Sequence, residues 1–132
     1  MNAKQRKSYA AHAHLDADRR LDVAILILLG ARVLGYVELV PAFATHWYAA
    51  GELQAEMERR GYALDLGSAM QPGGLCWASF DRFEAIDSSA SCTASALTVP
   101  GAIARAAYHV LSGAPWEEDA QPTGATQQEG KP

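Results

Sequence analysis

Cysteine is scarce in this chain, long apolar runs are missing, and positive charge is in the minority. The two cysteines, Cys76 and Cys92, exclude the dense disulfide framework that holds small secreted domains together, and they read as reduced core thiols of a cytoplasmic protein. The longest apolar run is Val23–Leu29, and it reaches Leu34 only across Gly30 and Arg32. A membrane-spanning helix needs ~20 consecutive apolar residues, so the run predicts a buried helix and no transmembrane segment. Met1–Ala13 is basic without an apolar stretch directly after it, which is not a secretory signal. Lys and Arg number 11 against 15 Asp and Glu, a net charge of −4. That balance disfavours a general affinity for nucleic acid or anionic membrane.

Apolar residues are plentiful, at 49% of 132 positions. This is the size of one domain, with enough apolar surface to form a core without metal or disulfides. Charge is unevenly placed. Lys4, Arg6, Lys7, Arg19 and Arg20 all precede the first apolar block, whereas Glu117, Glu118 and Asp119 make the other end acidic. Residues 1–17 read as a polar basic arm, loose or a frayed extension of the first helix; residues 18–113 read as the folded domain. Residues 114–132 have the low hydrophobicity of a disordered acidic tail.

Periodicity places the elements. Asp16 or Asp18 can cap a first helix, whose apolar face holds Leu21, Ile25, Leu28 and Leu29, with Gly35 as its stop. Pro41 lies in an extended link, and Thr45 is the expected N-cap of a second helix. Trp47, Ala50, Leu53 and Met57 face inward in that helix, Glu52, Glu56, Glu58, Arg59 and Arg60 face water, and Gly61 ends it. The period then changes to two. Tyr62, Leu64 and Leu66 mark a strand, Gln71–Gly74 a turn, and Leu75, Trp77 and Phe80 the returning strand. Phe83–Ile86 can add a third strand, and Ser88–Ala96 reads as a loop or weak edge strand. Thr98 caps a last helix with Pro100 in its first turn and Gly113 after its end. The order predicts an α+β fold: a small antiparallel sheet with three packed helices.

Four segments in this order resemble the phage ABA-sandwich domain, found in small phage and prophage proteins. They are Gly30-Ala31-Arg32-Val33-Leu34-Gly35-Tyr36, Pro41-Ala42-Phe43-Ala44-Thr45, the strand-borne Trp77, and Val99-Pro100-Gly101-Ala102-Ile103-Ala104-Arg105-Ala106-Ala107. The chain departs from that pattern at Ala31, Ala44 and His46, where the family often carries Asp, Glu or Ser. The resemblance covers about residues 21–113 and implies a fold and a phage origin; it brings no catalytic residues.

Candidate chemistry is thin. His12, His14 and Asp16 alternate as metal ligands do in one zinc-hydrolase motif, but further ligands are not in view. On a helix the two imidazoles would also point about 200° apart. Cys76 or Cys92 with His46 or His109 could pair a nucleophile with a base, yet no feature that lowers a thiol pKa stands beside them except Arg82. Trp47 and Trp77 read as core. Trp116, with Glu117, Glu118 and Asp119, reads as either a docking peptide or a segment packed back on its own domain.

The expected function is a non-enzymatic phage or prophage accessory protein that binds a host or phage protein, in its narrowest form an inhibitor of a host defence complex similar to an anti-CRISPR protein. No cofactor is expected. Two alternatives remain: a small metal- or thiol-dependent enzyme, and a nucleic-acid binder working through the basic arm. The broad apolar stripe of the first helix, including Ile27 and Leu29, also suits a homodimer.

Overall fold

The computed structural model describes residues 1–31, 39–68, 74–82 and 91–117. The elements run α1 (Ala3–Ala10), α2 (Ala17–Leu28), α3 (Trp47–Arg59), β1 (Tyr62–Ser68), β2 (Cys76–Arg82), β3 (Cys92–Ala96) and α4 (Val99–Ser112). The strands form one antiparallel meander in the order β1-β2-β3. The α+β class and the antiparallel sheet are as the sequence predicts, with one helix more than expected.

That extra helix replaces the loose arm. Asn2 caps α1 through a capping box: its side chain accepts from Gln5 N–H, and the Gln5 side chain accepts from Asn2 N–H. Two otherwise orphaned donors are satisfied at once. The helix is anchored by Tyr9, which is buried with the core, and burial raises its phenol pKa despite Arg20 beside it. α1 packs on α2, so part of the apolar stripe that suggested a dimer is covered within the chain.

α2 begins where Asp16 accepts from Arg19 N–H. It ends earlier than expected, at Gly30, whose φ of +101° is a conformation that residues with a Cβ rarely adopt. Gly35 lies outside the described residues. α3 starts one residue later than predicted: His46 holds the N-cap position without a side-chain hydrogen bond, and Thr45 sits in the preceding turn. α4 follows its prediction closely. Thr98 accepts from Gly101 N–H, Pro100 occupies the first turn, and Gly113 closes the helix at φ +85°.

α4 is the centre of the molecule. It packs on β2 and β3 on one side, on α2 on another, and on α3. Ala102, Ala104, Ala106 and Ala107 are buried, and these small side chains let three neighbours approach one helix. At Gly101 an added Cβ would crowd the Ala96 methyl and the Thr98 hydroxyl at 3.1 Å, so the first turn lies close to the end of β3.

The register decides which sheet face is core. Phe80 pairs with Leu64 and Cys92, and Ala78 with Leu66 and Ala94. These residues, with Tyr62, Cys76 and Ala96, lie on the face that meets α3 and α4. Trp77 and Phe80 are an odd number of residues apart and must lie on opposite faces. Phe80 takes the core, and Trp77, expected there too, is 40% exposed on the other side. The edge strand anticipated within Ser88–Ala96 is β3, while Phe83–Ile86 and Gln71–Gly73 lie outside the described residues.

Phe80 is fully buried; Phe80→Ala should cost ~3–5 kcal/mol in equilibrium urea unfolding. Thr98→Ala removes the α4 cap and should cost ~1 kcal/mol with an unchanged m-value.

Candidate interaction surface

Asp22 lies in the middle of the apolar face of α2, with 0% of its side chain exposed. An uncompensated carboxylate there would be costly. Its Oδ2 accepts from Arg19 Nη1 at 2.7 Å, one turn earlier, and its Oδ1 accepts from Ala44 N–H at 2.9 Å. Arg19 Nη2 donates in turn to the Val40 carbonyl at 3.0 Å. Two side chains of α2 therefore hold both ends of residues 40–44, the link into α3. Val40, Phe43 and Ala44 are buried with the core. Thr45 N–H and His46 N–H both donate to the Ala42 carbonyl, turning the chain into the helix.

This anchored turn presents apolar side chains to solvent. The phase of α3 is set by Ala49, Ala50, Leu53 and Met57, all buried, which turns Trp47 and Tyr48 outward. Trp47, expected in the core, is 68% exposed; Tyr48 is 74% and Leu39 77% exposed. Leu39 and Tyr48 line a shallow depression of about 650 Å³ together with Pro41, Ala42 and Ala49, and Arg19, His46 and Glu52 supply its polar groups. Aromatic side chains fixed on a rigid turn are the kind of anchor that dominates protein–protein interfaces.

The residues of the histidine arm have separate structural settings. His12 is buried and its Nδ1 bonds the Ser8 carbonyl, while His14 is exposed. The Asp16 carboxylate caps α2. Among the described residues no group of three or more His, Cys, Asp or Glu side chains is placed to hold a metal ion. Burial, with Asp81 adding to it, raises the Cys92 thiol pKa, the opposite of what a nucleophile needs. Cys76 packs against the core and points its Sγ toward the Leu97 carbonyl at 3.9 Å.

The basic residues of the amino-terminal segment are partly structural. Arg6 and Arg20 donate to the carbonyls of Met1 and Leu15, and Arg19 belongs to the Asp22 anchor. At the other end Trp116 packs edge-on against Tyr108, with ring centroids 5.1 Å apart, so it folds back on its own domain. Glu117 is exposed; Glu118 and Asp119 lie outside the described residues. No family model, curated protein or solved structure matches the chain.

The sequence reading missed Asp22 and the Leu39–Tyr48 surface. A signal was present: one acid in Leu21-Asp22-Val23-Ala24-Ile25, at a position the helical period buries. Burial pushes the Asp22 carboxyl up to about 6, against the opposing pull of the Ala44 N–H and Arg19. The folded value lies above the unfolded one, so the folded state binds this proton more tightly. Its contribution to stability is complete below about pH 4 and is lost as pH rises through about 6. Wild type should therefore lose stability relative to Asp22→Asn as urea unfolding is repeated from pH 4 to pH 7. Asp22→Ala, which leaves the Ala44 N–H without its acceptor, should cost ~1–3 kcal/mol at neutral pH.

Proposed function

We propose that the protein is a non-enzymatic accessory protein that binds another protein through the surface around the start of α3. The observation that carries this reading is the exposure of Leu39, Trp47 and Tyr48 beside a turn fixed by buried Asp22 and half-buried Arg19. Large apolar side chains held rigidly in water are costly to leave uncovered and lose little entropy when a partner covers them. The unassembled histidines and the raised Cys92 thiol give metal or thiol chemistry no comparable support.

A phage or prophage setting is supported by the resemblance carried by Pro41–Thr45 and Val99–Ala107, the first of which contributes the anchored turn. Action in the cytoplasm is supported by the free thiols Cys76 and Cys92. Among the described residues no helix is long and apolar enough to cross a membrane. The narrower form, an inhibitor of a host defence complex, draws on the net charge of −4, since acidic side chains can occupy a groove built for nucleic acid.

The test is affinity capture from host lysate with wild type and with Trp47→Ala and Tyr48→Ala in parallel. Both side chains are solvent-exposed, so each variant should unfold within about 0.5 kcal/mol of wild type. Each should weaken the captured complex about tenfold or more. Recovery of no specific partner at any salt, or equal capture by all three proteins, contradicts the proposal.

A further inference from the structure

The sheet has a second face, opposite α3 and α4, and its composition differs from the rest of the surface. By register it carries Gly67 and Trp77 at one level, Asp65 and Ser79 at the next, and Ala63 and Asp81 at the third, with Thr93 and Ser95 on β3. Gly67 has no side chain, and the Trp77 indole occupies the space where its Cβ would stand. The ring thus lies across β1 with its backbone side packed and 40% of the residue still exposed. Thr93 Oγ1 donates to Ser79 Oγ at 2.9 Å across the strands, and Ser91 Oγ donates to Asp81 Oδ1.

Charge on this part of the chain is mainly negative. From Gly61 to Ala104 the sequence contains Asp65, Asp81, Glu84 and Asp87 and a single basic residue, Arg82. Arg82 alternates to the other face of β2, where its guanidinium sits 5.7 Å from the centre of the Tyr62 ring. The open face therefore offers an aromatic plane and two carboxylates with no described cation among them. Its levels follow one another at the strand rise, about 6.6 Å for two residues. An extended peptide places alternate side chains at the same interval.

We propose that this face binds an extended, arginine-rich segment of a partner protein. One guanidinium stacks on the Trp77 indole with Asp65 beside it, and the next alternate arginine reaches between Asp65 and Asp81. Arginine suits the site better than lysine because a planar guanidinium stacks on an aromatic ring and pairs with a carboxylate together. The inference goes beyond the proposed α3 surface and does not depend on it.

The experiment titrates the ¹⁵N-labelled full chain with a short Gly-Arg-Gly-Arg-Gly-Arg-Gly peptide at low salt. It follows the indole Nε1–H resonance of Trp77, assigned by its loss in Trp77→Phe. Lysine and glutamine versions of the peptide and a neutral tetrasaccharide run in parallel. The expected result is a saturable shift of the Trp77 resonance with the arginine peptide, weakened severalfold by 0.3 M salt. The lysine peptide should bind about threefold more weakly, and the glutamine peptide and the sugar should leave the resonance in place. Asp65→Asn, a change at an exposed position that keeps the fold, should weaken the arginine peptide about threefold. No shift at millimolar arginine peptide, an equal shift with the glutamine version, or a shift with the sugar alone overturns the proposal. The Trp47 resonance reports separately on the α3 surface, so failure at Trp77 leaves that reading intact.

Discussion

A carboxylate inside an apolar helix face has to be met by donors or carry a proton, and Asp22 constrains the fold through that requirement. Its partners come from two places: Arg19 on the same helix, and the Ala44 backbone N–H on the far side of the link into α3. The link cannot shift without stranding a buried charge, which is far more costly than losing one hydrogen bond between neutral groups. Arg19 extends the constraint to the Val40 carbonyl, so the chain is held at both ends of the turn. The link into α3 rests on these contacts, while the burial of Ala49, Ala50, Leu53 and Met57 aims Trp47 and Tyr48 outward.

The second constraint is the crowding around α4. One alanine-rich helix packs against β2, β3, α2 and α3, so two helices cover one face of the sheet while α2 and α1 stack mainly on other helices. Among the described elements none packs on the opposite face. Trp77 lies down over Gly67 there, and hydroxyls pair across the strands. The two surfaces with functional interest each hold exposed aromatic residues, one at the start of α3 and one on the sheet.

Local rules were legible where the chemistry is local. The Asp16 and Thr98 caps, the glycine stops at Gly61 and Gly113, the β1–β2 hairpin and the buried Ala50, Leu53 and Met57 all follow from propensity and spacing within a few residues. The misreadings were of another kind. Spacing groups Trp47 with Ala50, Leu53 and Met57 and sets Trp77 in the returning strand, yet both tryptophans lie outside. The parity of Trp77 against Phe80 already separated their faces, and only which of the two would be core was open. Gly35 and Thr45 were each plausible stops or caps, but Gly30, at φ +101°, follows the end of α2, and His46 holds the cap position of α3. The amino-terminal segment looked like a solvated arm because its only large apolar residues, Met1, Tyr9 and Leu15, are scattered among charged, polar and small ones, yet Tyr9 and His12 are buried and Met1 and Leu15 pack on the core.

By itself the sequence determined the α+β class, the antiparallel pairing and most element boundaries, because hydrophobic period, capping residues and glycines act over short distances. It also determined that acidic groups dominate the stretch that forms the sheet. Tertiary structure alone decided which side chains remain outside. Exposure depends on what packs opposite a residue, and α4, α2 and the Asp22-held turn come from segments far apart in the chain. For that reason the functional candidates moved from the histidines and the tail, where the residue types are suggestive, to Leu39, Trp47, Tyr48 and Trp77, where the surroundings are.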